Sequence, residues 1–231
     1  MFDYTLGSRP QTRSILLSST NADVDTAASE TVWPTGGTYT FPAAIAAVEV
    51  VSASAADAED GTGARTVQVY GLNSSGLAAT ETVTLNGVTA VATTGTWLRI
   101  NGARALTVGS GGTNAGVISV RALADTPVYA TIAAGENEST MCVYSVPVGL
   151  RVYVASISAS TTSANTGTLD VLVNGGLAKR VATMRFGNLG AQQSYRCPPS
   201  VDGPADIWLR VTASADNTPV TAQLEMLETA Q

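Results

Sequence analysis

Gly61 to Gly87 reads GTGARTVQVYGLNSSGLAATETVTLNG, and the alternation within this stretch decides the fold class. Successive side chains of a strand point to opposite faces. Val67 and Val69 therefore share one face of a first strand, while Thr66, Gln68 and Tyr70 share the other. The return strand repeats the pattern, with Val83 and Leu85 on one side and Thr80, Thr82 and Thr84 in a row on the opposite side. Leu72 to Leu77 encloses Asn73, Ser74, Ser75 and Gly76, residue types that tolerate tight and left-handed backbone, so a hairpin loop is predicted there. Asn86-Gly87 marks a second tight turn.

Outward from this hairpin the text keeps the same character. Short β segments are predicted at 38–41, 45–53, 96–100, 105–108 and 117–123, punctuated by Gly, Pro and Asn. A second set follows at 128–132, 141–146, 152–157, 169–173, 181–186, 207–212 and 220–227. No stretch carries a convincing helical stripe. The two sets read as copies about 105 residues apart. Phe41-Pro42 answers to Val146-Pro147, Thr62-Gly63 to Thr166-Gly167, and Val67 with Val69 to Val171 with Val173. Trp97-Leu98-Arg99-Ile100 answers to Trp208-Leu209-Arg210-Val211, and Val117 to Val220. Chance similarity between two valine-rich texts is the competing account, since only Trp-Leu-Arg is an uncommon string.

The expected fold is all-β: two tandem antiparallel β-sandwiches, jelly-roll or Ig-like, behind an extended N-terminal arm. The arm is placed at 1–31, the first sandwich at 32–125 and the second at 126–231, with the boundary at Ala124 to Pro127. Apart from Ile15, Leu16 and Leu17, the arm has no sustained period. One reading lays it on a neighbouring subunit with Phe2, Tyr4, Arg9 and Arg13 as anchors; the other is a disordered terminus. The aromatic residues and the apolar patch favour the first. Removing Met1 to Thr20 is then expected to leave both sandwiches folded.

Composition narrows the chemistry. Only 13% of the 231 residues are charged, against a usual value of about 25%, which suggests a surface partly covered by partners. The net charge of −6, with Lys179 the one lysine among twelve basic residues, argues against direct nucleic-acid binding, which needs clustered cations. No apolar run is long enough to span a membrane and the start lacks the pattern of a secretory signal, so synthesis in the cytoplasm and a soluble chain are expected.

Histidine is absent, which removes the usual base of nucleophile triads and the commonest neutral metal ligand. Cys142 and Cys197 lack the spacing of a zinc or redox motif; free, partly buried thiols are preferred over a disulfide. Asp57, Glu59 and Asp60 form the densest acidic group, but their spacing matches no calcium loop, and a solvated loop tip is expected. Gly109, Gly111, Gly112 and Gly116 lack the Lys-Ser/Thr of a phosphate loop and read as a turn. Glycosidase chemistry needs two carboxylates brought together, and no pair is marked out. No catalytic residue, cofactor site or metal site is assigned, and an enzyme is not expected.

Trp97 with Arg99, and Trp208 with Arg210, sit two apart on predicted strands and share a face, opposite Leu98 with Ile100 and opposite Ile207, Leu209 and Val211. If the aliphatic row faces the core, each repeat presents a Trp and an Arg outward as interface anchors. In the competing reading each Trp is buried and the Arg reaches along the rim.

The hairpin text, followed by Trp97-Leu98-Arg99-Ile100-Asn101 and Asn114-Ala115-Gly116-Val117-Ile118, resembles a recurrent kind of tailed-bacteriophage virion structural protein. Tyr144-Ser145-Val146-Pro147-Val148-Gly149 resembles that group as well. The resemblance covers most of 31–231 and contains no catalytic signature. It implies an accessory capsid decoration or cement protein on the outer capsid surface, bound to the major capsid protein and to itself as a homo-oligomer such as a trimer. A receptor- or glycan-binding component of a tail, fibre or neck is the alternative it implies. It supplies no functional residue of defined role.

Overall fold

The structure is a computed structural model describing residues 12–174 and 178–231. Among these residues there are strands and turns and no helix. β1 (Arg13–Val24) and β2 (Glu30–Thr31) come first. Then follow β3 (Val48–Ser52), β4 (Ala64–Asn73), β5 (Ala78–Thr84), β6 (Val91–Ala92), β7 (Trp97–Val108), β8 (Ile118–Ala122) and β9 (Val128–Ile132). The remainder are β10 (Val143–Val146), β11 (Leu150–Thr161), β12 (Gly167–Asn174), β13 (Ala178–Phe186), β14 (Ala191–Ser194), β15 (Ser200–Asp202), β16 (Ala205–Ala213) and β17 (Thr218–Ala230).

The chain divides into two units, but not in tandem. Thr38–Met141 forms one, while the segment ending at Gly37 joins Cys142–Gln231 to form the other. The first of these is therefore inserted, in chain order, within the second. Its sheets run β6-β3-β8-β9 and β5-β4-β7. In the discontinuous unit one sheet runs β14-β11-β17-β1, with β15 also on β11, and the other runs β10-β16-β12-β13, with β2 also on β16. All of these pairings are antiparallel.

One strand order underlies both units. β3, β4, β5, β6, β7 and β8 take the places of β11, β12, β13, β14, β16 and β17, and the bridge Ala46↔Trp97 answers to the pair Val143↔Trp208. The edge position beside β8 is filled by β9, which follows it in the chain; the same position beside β17 is filled by β1, from the opposite end of the sequence.

Alternation builds each core. Ile207, Leu209 and Val211 of β16 point inward against Val152, Val154 and Ile157 of β11, Leu169 and Val171 of β12, and Leu224 and Met226 of β17. In the inserted unit Val67, Val69, Val83, Leu85, Val48, Val50, Ile118 and Val120 are buried. Each such side chain contributes about 1.5–3 kcal/mol when fully withdrawn from water. The β4–β5 turn forms where the sequence placed it: Asn73 N–H donates to Leu77 O at 2.9 Å, Asn73 Oδ1 accepts from Ser75 N–H at 2.9 Å, and Gly76 takes φ 74°.

Several boundaries move. The expected arm is, from Arg13 to Thr31, part of a sandwich: Ile15 and Leu17 turn toward the core and Val24 is fully buried. Residues 128–132, expected to open the second sandwich, are β9 of the inserted unit, because Ile118↔Ile132 and Val120↔Ala130 hold them to β8. The division accordingly falls at 37/38 and 141/142 rather than at 124–127. Residues 38–41 form no strand, and the segments expected at 96–100 and 105–108 are one strand, β7.

Candidate functional site

The proposed arm anchors part company. Phe2, Tyr4 and Arg9 lie outside the described residues. Arg13 opens β1 and is engaged within its own unit: its Nε–H donates to Glu228 Oε1 at 2.6 Å and an Nη2 hydrogen to the Tyr144 hydroxyl oxygen at 2.8 Å. The Tyr144 hydroxyl donates to Glu228 Oε2 at 2.5 Å. Burial, and then the neighbouring Glu228 carboxylate, hold the Tyr144 phenol well above its usual pKa.

The two Trp-Arg pairs also diverge. Trp97 is 3% exposed and its indole N–H donates to Thr93 Oγ1 at 3.2 Å, so here the buried reading applies. The register of β7 against β4 shifts between Tyr70 and Gly71 and again between Leu72 and Asn73. Strict alternation is lost, and Trp97 and Ile100 are buried together. Arg99 is spent locally: its Nη1 donates to Pro42 O at 3.2 Å and its guanidinium lies 5.5 Å from the Phe41 ring centroid. Trp208 and Arg210 instead stand on the outer side of β16, opposite the inward row of Ile207, Leu209 and Val211.

Around that pair the sheet assembles a cationic face. Trp208 pairs across with Leu172 and Arg210 with Asp170, while β13 sets Arg180 against Leu172 and Arg185 against Thr168. The Asp170 side chain is only 7% exposed; Arg180 Nε lies 3.2 Å from its Oδ1 and Arg210 Nη2 3.2 Å from its Oδ2. The ion pairs leave polar atoms unsatisfied, since among the described residues Asp170 Oδ1 and Arg210 Nε have no hydrogen bond of good geometry. Arg185 is exposed and has no partner among the described residues. The sequence marks Trp208 and Arg210 by their place in the repeat; the signal for Arg180 and Arg185 is the tight cationic cluster that they form with Lys179.

The inserted unit offers a threonine-lined face. Thr80, Thr82 and Thr84 are exposed and pair with Tyr70, Gln68 and Thr66, which are followed on β7 by Gly102, Arg104 and Thr107. Thr66 and Thr107 hydroxyls are 2.6 Å apart, and Arg104 Nε–H donates to Gln68 Oε1 at 3.0 Å.

The acidic group splits between core and surface. Asp57, expected in a solvated tip, is fully buried and accepts from Ser52 Oγ at 2.5 Å and from the amides of Ala64, Ala115 and Gly116 at 2.7, 2.7 and 2.8 Å. Burial alone would raise its pKa; these hydrogen bonds outweigh burial and lower it. Glu59 and Asp60 remain exposed at the tip. Glu30 is likewise a structural acceptor, bound by Asn21 and by the amides of Asp25 and Gly37. Cys142 is buried, Cys197 is exposed, and both are free thiols.

No family model matches the chain, and no curated protein matches it. Among solved structures, a similar one is the infectious bursal disease virus VP2 subviral particle, at 10% identity and TM-score 0.27, over 96% of this chain and 73% of that one. A TM-score of 0.27 does not establish a common fold.

Proposed function

We propose that the chain is an accessory structural protein of a tailed-phage virion that binds the outer capsid and reinforces contacts between shell subunits. The observation that carries this reading furthest is the outer face of β16, β12 and β13, where Trp208, Arg210, Arg180 and Arg185 surround a buried Asp170. Tryptophan and arginine are the side chains that most often anchor protein interfaces. The resemblance of the hairpin and of Tyr144 to Gly149 to phage virion proteins supplies the class of particle. Asp57, Glu30 and Glu228, all buried, serve as acceptors within the fold. A protein that binds the assembled shell and not its free subunits stabilises the assembly by linkage.

The major capsid protein is the partner this reading requires, and the outer capsid surface the location. The test is quantitative mass spectrometry of purified, DNA-filled particles. Copies comparable with the major shell protein support decoration or cement. A handful per particle move the protein to a neck, tail or fibre, and none refutes the virion reading.

A further inference from the structure

Two oppositely charged features stand on the surfaces of the two units. The first is the arginine face. Asp170 fixes Arg180 and Arg210 through contacts of 3.2 Å each and neutralises one of the three guanidinium charges there, leaving a local excess of two with Arg185. Asp206, further along β16, is turned to Ser145 Oγ at 2.6 Å. The second is the loop tip carrying Glu59 and Asp60, both exposed and without partners among the described residues. Asp57 anchors that loop from below, and Glu59 N–H to Leu85 O at 3.2 Å and Gly61 N–H to Ala58 O at 2.8 Å set its shape.

We propose that these features are the two halves of a self-contact, in which the arginine face of one copy receives the Glu59–Asp60 tip of a second copy. The chemistry matches on three counts. Guanidinium forks and carboxylates form paired, charge-assisted hydrogen bonds. Two unpartnered carboxylates meet a local excess of two positive charges. Asp170 already orients Arg180 and Arg210, so part of the face is set before the contact forms. Half-buried Trp208 beside Leu172 adds an apolar anchor within the charged rim. Because face and tip are different surfaces, the contact is head-to-tail and closes into a ring when the rotation between copies allows. This contact occupies the face offered above to the shell and assigns it to a second copy instead; it holds or fails with purified protein alone.

The test is sedimentation velocity of the full chain at low and high salt, with circular dichroism confirming that each variant is folded. Arg180→Glu with Arg185→Glu, and separately Glu59→Lys with Asp60→Lys, should each weaken self-association by about tenfold or more. The quadruple variant, which exchanges the charges, should regain it to within about threefold, and added salt should weaken association of the unaltered chain. A monomeric unaltered chain at roughly 100 µM, or double variants that associate like it, would overturn the proposal. So would a quadruple variant that stays dissociated.

Discussion

Tyr144 and Glu228, 84 residues apart in sequence, are joined by a 2.5 Å hydrogen bond. It spans the two sheets of the discontinuous unit, from β10 to β17, and Arg13 of β1 reaches both partners. Three distant segments of chain thus meet on one carboxylate. Tyr144→Phe removes the donor but keeps the ring, leaving a buried carboxylate oxygen short of a partner at a cost of about 1–3 kcal/mol. Urea unfolding should show a lowered midpoint for this unit. An unchanged midpoint would mean that the bond adds nothing beyond Arg13.

Acid sensitivity follows from the buried carboxylates. Asp57 and Glu30 have folded-state pKa values below their unfolded ones, because hydrogen-bond donors outweigh burial. Their contribution is complete above the unfolded values, near 4, and is lost as pH falls through the lower folded values. Stability should therefore hold down to roughly pH 5 and decline below about 4. Asp57→Asn presents an amide to backbone N–H groups that need an acceptor, and should cost about 2–3 kcal/mol at neutral pH. Its acid limb should also be flatter; parallel profiles for variant and parent would contradict the assignment.

Deleting the chain through Val24 tests the place of β1. The strand covers the edge of β17 and buries Val24, with Ile15 and Leu17 against the core. Contrary to the expectation for a free arm, the truncated protein should lose amide protection in β11 and β17 while β3, β4 and β8 keep theirs. Hydrogen exchange read by mass spectrometry separates the two units. Equal protection in both would restore the arm reading.

Gly71 and Gly112 should respond differently to alanine. A Cβ at Gly71 would lie 2.1 Å from the Arg99 carbonyl oxygen, where β4 and β7 shift register. Backbone would have to move, and a loss of about 3 kcal/mol or more is expected. Gly112 has φ +75° but nothing within 4 Å of its Cβ position, so its alanine variant carries only the backbone penalty of about 1 kcal/mol. Thermal unfolding ranks the pair, and equal losses would refute the close approach.

How much of this was legible depends on the range of the interaction. Strand periodicity is local, since each side chain's direction is set by its own backbone, and so Val83 with Leu85 inside and Thr80, Thr82 and Thr84 outside could be read directly. The β4–β5 turn was legible for the same reason: Asn73 and Gly76 carry its geometry themselves. The correspondence of Trp97 with Trp208 was also visible, and both strands hold the same place in their sheets. Their exposure was not, because the register shifts that bury Trp97 belong to the pairing with β4 and not to either strand alone.

Which strand stands beside which is a choice among distant segments of similar composition, and no local pattern distinguishes them. β1 pairs with β17 and β9 with β8, so the end of the sequence nearest to an edge did not identify the strand that fills it. Asp57 is buried because Ala115 and Gly116, 58 and 59 residues away, bring amides to it, a fact that its acidic neighbours Glu59 and Asp60 conceal. Local pattern was enough for the all-β class, for the faces of strands that keep strict alternation, and for the β4–β5 turn. Only tertiary structure decided which unit each strand joins, which carboxylates are structural and which arginines gather on one face, because those depend on nonlocal pairing and on the desolvation it imposes.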